Sequence, residues 1–430
     1  MKQLIAIFLC LTLLLAGCGS APEENPAAST QQPLTQTASG YPLTGLDMEG
    51  EAPRPVAVMV SNASTARNRQ WGTGEASVIL EALTEGETTN YMLWFDRLDT
   101  LPKVGPMAQA KDVFWQFAIP MNSLLVQKGM NTYAENMLNY YTYQPLDALM
   151  LGVNCFDYDN SDPAIGNEFC WFTQGSTLQY GVDHYKMALT TQPGNWQLFG
   201  APTAGAPAAS VSVSFSPVQF STFQWEENAW TMYRGAGAPQ LDANTGAPVQ
   251  VDNVLVLQTT ASVKDDKFTR EYDLTGGQGL YLVDGTWQTV TWKKGDVQSG
   301  LQLFSADGAP MVLKAGKTYL ALLGDFAGQA VAVKDAAGTV VYPGAQPPAS
   351  GETAPTQAPE APAPATPVPA TEVPVVTAAP VAPEVPAPAP EVPAPAPAVP
   401  APAPEVPTTP VPGVPTPEVT VTPDAAVPAV

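Results

Sequence analysis

Two glutamates raise the question of chemistry first. Glu81 and Glu85 stand four residues apart in "GEASVILEALTEG", and on a helix that spacing puts both carboxylates on one face. A carboxylate pair can do general acid and base work on a glycosidic bond. The same spacing also describes two like charges on a solvated helix face, at a cost of roughly a few tenths of a kcal/mol. A second cluster is "DYDNSDPAIGNE", in which Asp157, Asp159, Ser161 and Glu168 fall at positions 1, 3, 5 and 12 of a calcium-loop spacing. Asp162 occupies the turn position that demands Gly, and Pro163 follows it, so an EF-hand is not expected. A different oxygen-rich calcium site and an acidic surface loop built from Asx-turns are the two readings that remain.

Other chemistries find few residues to work with. His184 is the one histidine, it follows Asp183, and no "GxSxG" elbow accompanies it, so a nucleophilic triad is not expected. A tetrahedral zinc site needs several His or Cys ligands that the chain lacks. "GGQG" at 276–279 lies between strand-like runs and opens no helix, which excludes a phosphate loop. Trp225, Trp230, Trp287 and Trp292 are spread through hairpin-like segments, where cross-strand packing explains them more simply than stacking on glycan rings. No cofactor is expected beyond the calcium reading.

The charge balance narrows the partners. Asp and Glu number 40 against 18 Lys and Arg, a formal net charge of -22. That field repels nucleic acid and anionic polymers, so no nucleic-acid partner is expected. At the N-terminus, Lys2 precedes "LIAIFLCLTLLLAG", an apolar run too short for a comfortable membrane span. It ends in "LLAGCGS", which resembles the lipobox of bacterial lipoproteins and implies an acylated thiol at Cys18. The expectation is an extracytoplasmic protein held to the membrane by N-terminal lipid. Cys10 would leave with the signal peptide, so Cys155 and Cys170 remain, either as a disulfide or as two buried thiols.

The elements that must position these residues follow from patterning. Residues 1–17 read as the lipoprotein signal peptide and 18–40 as a flexible Ser/Thr/Pro/Gln-rich tether. From 41 to 190 the pattern mixes strands and helices, with layered sheet and helix expected in an α+β domain. "PVAVMVSN", "TNYMLWFDR" and "SLLVQKG" read as strands; "TYAENMLNYY" and "DHYKMAL" read as helices. Ala76, Ile79, Leu80 and Leu83 form a stripe that predicts a helix ending near Gly86. Residues 191–210 read as a linker and 211–343 as a mainly antiparallel β domain, with Asp-Gly turns at 284–285 and 307–308. From 344 to 430, "EVPAPAP"-like units predict an acidic, disordered Pro-rich tail.

Several segments together resemble one family. "YPLTGL", "RPVAVMVSN", "ASVILEALTEGETTNYMLWF" and "KVGPMAQAKDVF" resemble the N-terminal domain of the YerB-like bacterial lipoproteins. "YRGAGAPQLDANTG", "NVLVLQT", "WKKG" and "LKAGKTYLALL" resemble its C-terminal domain. The family's function is uncharacterised, so the likeness implies an α+β body rather than a reaction. Positions implied to match are Asn62, Glu81, Glu85, Gly105, Pro106, Arg234, Asp242 and Asn253. This chain departs from the family pattern at Ala108, Lys111 and Asn90, where Arg is usual, and at Gln127 and Gln240, where His is usual. Neither Ala nor Lys reproduces a guanidinium fork, so an anion held by the family would be held weakly here. The candidate cleft therefore comprises those matching positions together with Lys111. The expected function is a binding or scaffolding lipoprotein of the envelope, with a wall component or an envelope protein as partner. A peptidoglycan hydrolase or transglycosylase using Glu81 or Glu85 is the alternative.

Overall fold

A strand buried on both faces shows no alternation, and that governs the centre of this molecule. The computed structural model describes residues 40–343 except 162–163, 192–195 and 235–236. The signal peptide with Cys18, the tether and the Pro-rich tail lie outside the described residues. Strand β1 (Val56–Ser61) is buried throughout, β2 (Val78–Glu85) is buried to its last residue, and β3 (Thr88–Phe95) is buried over most of its length. The predicted helix over 76–83 is therefore corrected to strand β2. Its apolar residues serve two cores at once, Ile79 and Leu83 on one face and Val78, Leu80 and Ala82 on the other. A helical stripe and a doubly buried strand look alike over so short a run.

Helix α1 (Asp112–Ala118) and strand β4 (Leu124–Gln127) follow, then α2 (Thr132–Tyr140), β5 (Leu146–Asp147), α3 (Ala148–Leu151) and α4 (Gly175–Tyr185). The α2 reading holds, and Asn131 caps it by accepting from the Ala134 amide. The "DHYKMAL" helix ends earlier than predicted, because Lys186 turns left-handed at φ 52°.

One eleven-stranded sheet runs through both halves of the chain. Its order is 302–304, 286–293, 277–283, 253–258, 318–323, β2, β3, β1, β4 and β5, with 206–207 added beside 286–293. The join is a parallel ladder between β2 and Thr318–Leu323, with Glu81 opposite Ala321. Thr318–Leu323 is also parallel to Asn253–Gln258, a departure from an otherwise antiparallel C-terminal half. A six-stranded sheet, 250–251, 229–233, 220–226, 210–214, 330–334 and 340–342, packs over one face of the large sheet. Val211, Phe223 and Met232 from it share a core with Ile79 and Tyr319. The other face is covered by α1 and α2, through Phe114, Trp115 and Leu138. Within the stretch read as a linker, Leu198–Phe199 pairs with Val312–Leu313, and the Trp196 indole donates to the Leu43 carbonyl at 2.8 Å. Asp284 and Gly285 both take positive φ, 47° and 66°, in the tight turn their sequence predicts.

Candidate functional site

Glu81 lies at the middle of the large sheet, with no exposed surface, on the face that meets the six-stranded sheet. A buried carboxylate needs donors, and both halves supply them. Oε1 accepts from Asn62 Nδ2 and from the Thr89 hydroxyl, each at 2.7 Å. Oε2 accepts from the Ser221 hydroxyl at 2.9 Å and the Tyr319 hydroxyl at 2.7 Å. Arg234 brings the countercharge, with Nη2 at 3.7 Å from Oε2 and its side chain 3% exposed. Its Nη1 donates to Asn62 Oδ1, which also accepts from Gln70 Nε2 at 3.1 Å. Every hydrogen-bonding group of the Asn62 amide is thus engaged. Burial first, and the nearby Glu81 second, push the Tyr319 phenol well above its ordinary pKa, which keeps it a donor. Burial lowers the Arg234 guanidinium, with Glu81 opposing the shift. Among the described residues Glu81 has no exposed surface, and both its carboxylate oxygens are held by donors from the two sheets.

Glu85 has a different setting. Strict alternation would place it on the face of Glu81, but the β2–β3 register shifts between Leu83 and Glu85. Glu85 instead pairs with Lys111 Nζ, the residue capping α1 on the opposite face. Lys111 Nζ also donates to Gln109 Oε1 at 2.7 Å. The two side chains differ sharply in access: Lys111 is 5% exposed and Glu85 49%. They form part of the wall of a pocket of about 550 Å³, where β1 and β2 end and β3 begins. Asn90, Ala108, Gln109 and Lys128 line it as well. The Lys128 ammonium donates to the Glu168 carbonyl at 3.0 Å, and burial lowers its pKa although the Glu168 charge opposes this.

The "KVGPMAQAKDVF" loop forms one side of this pocket, and its backbone explains its sparse side chains. Val104 exchanges hydrogen bonds with Thr173, Gly105 with Trp71, and Ala108 donates to the Met59 carbonyl at 2.9 Å. Pro106 accepts from Ser61, and Ala110 donates to Gly129. The segment is stitched to neighbours on both sides, so small residues suit it. At Gly105 a Cβ would come within 2.9 Å of Phe172 Cβ and 3.0 Å of the Trp171 carbonyl, which only glycine avoids.

The remaining sequence candidates divide by place. Asp242 accepts from the Gly74 and Asn244 amides at 2.7 Å each, and Asn253 bonds the Tyr281 hydroxyl at 2.7 Å and the Lys314 carbonyl at 2.9 Å; both pin loops. Gln127 lies buried between Trp115 and Asp147, and Gln240 donates to the Leu241 carbonyl, so neither reaches the pocket. His184 is exposed and stacks on Tyr180. Trp230 and Trp292 are core residues. Asp157, Asp159, Ser161 and Glu168 do not converge. Asp159 accepts from the Ser161 amide at 3.0 Å in an Asx-turn and faces Arg69 at 4.0 Å, while Glu168 lies toward Lys128. Among the described residues no group of three or more His, Cys, Asp or Glu is placed to hold a metal. Of the two readings of the cysteines, the structure has Cys155 and Cys170 as free, buried thiols. Cys155 is held under α4, with its thiol pushed up to about 11 by burial, while Cys170 contacts the Gly166 carbonyl.

Ser221, Tyr319 and Thr89 were not singled out by sequence, since hydroxyls within strands carry no pattern of their own, nor was Gln219, whose Nε2 donates to the Thr89 hydroxyl at 3.1 Å. Lys128 was missed as well. Its one signal was a cation immediately after an apolar strand.

Comparison with known proteins places this geometry. Residues 43–184 match the N-terminal domain of a protein of unknown function (DUF3048), and residues 211–320 match its C-terminal domain. A Bacillus subtilis (strain 168) protein named "Putative lipoprotein YerB" is 26% identical over 293 residues, covering 66% of this chain and 86% of that one. The crystal structure of YerB from Bacillus subtilis superposes with a TM-score of 0.60 at 23% identity, covering 67% of this chain and 98% of that chain. Asn62, Glu81 and Thr89 come from the first matched segment and Ser221, Arg234 and Tyr319 from the second, so the buried centre is built jointly by the two.

Proposed function

The chain belongs to the DUF3048 family, carrying both its N-terminal and its C-terminal domain, and is homologous to YerB; on that premise we propose a lipid-anchored envelope protein that binds a polar ligand without transforming it. Lipobox-like "LLAGCGS" and the relative's name support acylation at Cys18 and an extracytoplasmic address. Among the described residues no helix is long and apolar enough to cross a membrane. The observation that carries the binding reading is the pocket of about 550 Å³. Hydroxyls and amides of Ser61, Thr84, Thr88, Asn90 and Gln109 stand with a fixed ammonium there. Such a wall recognises hydroxyl- and amide-rich molecules, as a peptidoglycan fragment is. Calorimetry of the soluble body with purified muropeptides should register binding that Lys111→Met weakens. Heat-silent titrations with no thermal shift would overturn the reading.

The hydrolase alternative now depends on Glu85 alone, because Glu81 is sealed. Glu85 is already paired with Lys111, and the other carboxylate residue of the lining, Glu168, lies toward Lys128, so each acid of the pocket has a cation beside it. Release of peptidoglycan fragments by the purified body, lost in Glu85→Gln, would favour catalysis instead. Mass spectrometry of the native protein tests the anchor, since an unacylated Cys18 removes it.

A further inference from the structure

Lys111 and Glu85 make an uneven pair. The ammonium is walled in at 5% exposure and tied on its other side to Gln109, while the carboxylate is half open to the pocket. The cation is therefore fixed and its partner is the movable member. Glu85 stands on the last residue of its strand, past the register shift and next to the tight turn at Gly86, where φ is 54°. A side chain so placed can swing out without disturbing the sheet. Lys128 adds a second ammonium to the pocket lining, bonded to a backbone carbonyl at 3.0 Å rather than to a carboxylate oxygen. In a chain of net charge -22, two partly sheltered ammonium groups line this one pocket, where Glu85 and Glu168 are the acidic residues beside them.

We infer that Glu85 is a built-in competitor and that the pocket takes a ligand bearing a carboxylate, which displaces Glu85 from Lys111 and occupies the same position on the ammonium. This rests on the pocket being the ligand site and adds the chemical class that it selects. One carboxylate replaces another, so the buried cation is never left unpaired, which would otherwise be the costly state. Asn90, Gln109 and the pocket hydroxyls then serve the neutral part of the ligand. The exchange also sets the affinity, which is scaled down by the fraction of protein in which Glu85 has swung away. Removing the competitor should remove that penalty for carboxylates alone.

The probes are N-acetylmuramic acid and N-acetylglucosamine, which share a sugar and differ by a lactyl carboxylate. Binding is read by saturation-transfer NMR and calorimetry on the soluble body, with wild type, Glu85→Gln and Lys111→Met compared. The expected result is tighter binding of the acid by Glu85→Gln, by about tenfold, with the neutral sugar unchanged. Lys111→Met, if its circular dichroism and melting are preserved, should treat the two sugars alike. If Lys111→Met does not fold, the Glu85→Gln comparison alone decides. Equal binding of both sugars, unmoved by Glu85→Gln, overturns the competitor and leaves the pocket as a ligand site. Failure of both sugars to bind any folded variant overturns the competitor and the binding reading together.

Discussion

Glu81 and Glu85 share a strand and a side chain, and stand four residues apart, yet the fold gives them opposite work. Glu81 has no exposed surface and accepts from Asn62, Thr89, Ser221 and Tyr319 beside Arg234. Glu85, half exposed beyond the register shift, keeps one partner, Lys111, at the mouth of an open pocket. The difference teaches that spacing along a chain does not assign a carboxylate its role. What decides is the set of groups across from it and whether water or a ligand can reach it. The first glutamate joins the two matched segments through its hydrogen bonds, and the second is half exposed at a pocket.

The comparison breaks most visibly at Arg234. Arg234→Met leaves the Glu81 charge buried without its counterion, and about 3–5 kcal/mol of stability should be lost in urea unfolding. The double variant Glu81→Gln with Arg234→Met should lose less than the sum of the two single changes, because they act on one network. Additive losses would mean that the two residues do not cooperate. A smaller step is Tyr319→Phe, which deletes one hydroxyl from a charged acceptor and should destabilise by about 1.5–3 kcal/mol, measured the same way.

A third buried cation shows what the absence of a carboxylate partner does. Lys294 is 5% exposed and its ammonium donates to the Asp296 carbonyl at 2.6 Å. Burial pushes its pKa down to about 8, with the Asp296 charge opposing. The folded value lies below the unfolded one, so between about 8 and 10.5 the unfolded chain holds the extra proton, and the group's contribution to stability rises with pH across that window. Lys294→Met should therefore stabilise the protein by roughly 1–2 kcal/mol at pH 7, an advantage that fades toward the upper end. Thermal melts of the two proteins across the range test it; a constant difference would refute it.

How far the sequence could lead is visible on β2 itself. The alternating strands 210–214 and 220–226 were legible because one face of each is buried and the other is not. β2 was misread because it is buried on both faces, and a lone Glu within an apolar run looked like the wet side of a helix. The matching positions Asn62, Glu81 and Arg234 were named before anything placed them together, but Asn62 and Arg234 are 172 residues apart, a separation no periodicity encodes. The departures at Asn90, Ala108 and Lys111 converge on one pocket wall, whereas Gln127 and Gln240 are buried elsewhere. The Lys111–Glu85 pairing depended on a bulge, and a one-residue shift in register leaves no mark in composition.

The smallest expected effect sharpens the contrast best. Glu85→Gln removes a charge from the open pair, but its amide oxygen can still accept from Lys111, and the pocket admits water to the ammonium. An ion pair with one member half exposed contributes about 1 kcal/mol or less, so the urea midpoint should barely move. The same change at the buried centre, Glu81→Gln, would leave Arg234 uncompensated and should be felt severalfold more strongly. The two variants alter the same chemical group by the same atoms on the same strand, so only the surroundings differ. If Glu85→Gln destabilised the protein as much as Glu81→Gln, the pair at the pocket would be a structural clasp rather than an exchangeable one. Lys111 could then not be released to a ligand, and the division between a closing and a receiving carboxylate would fail.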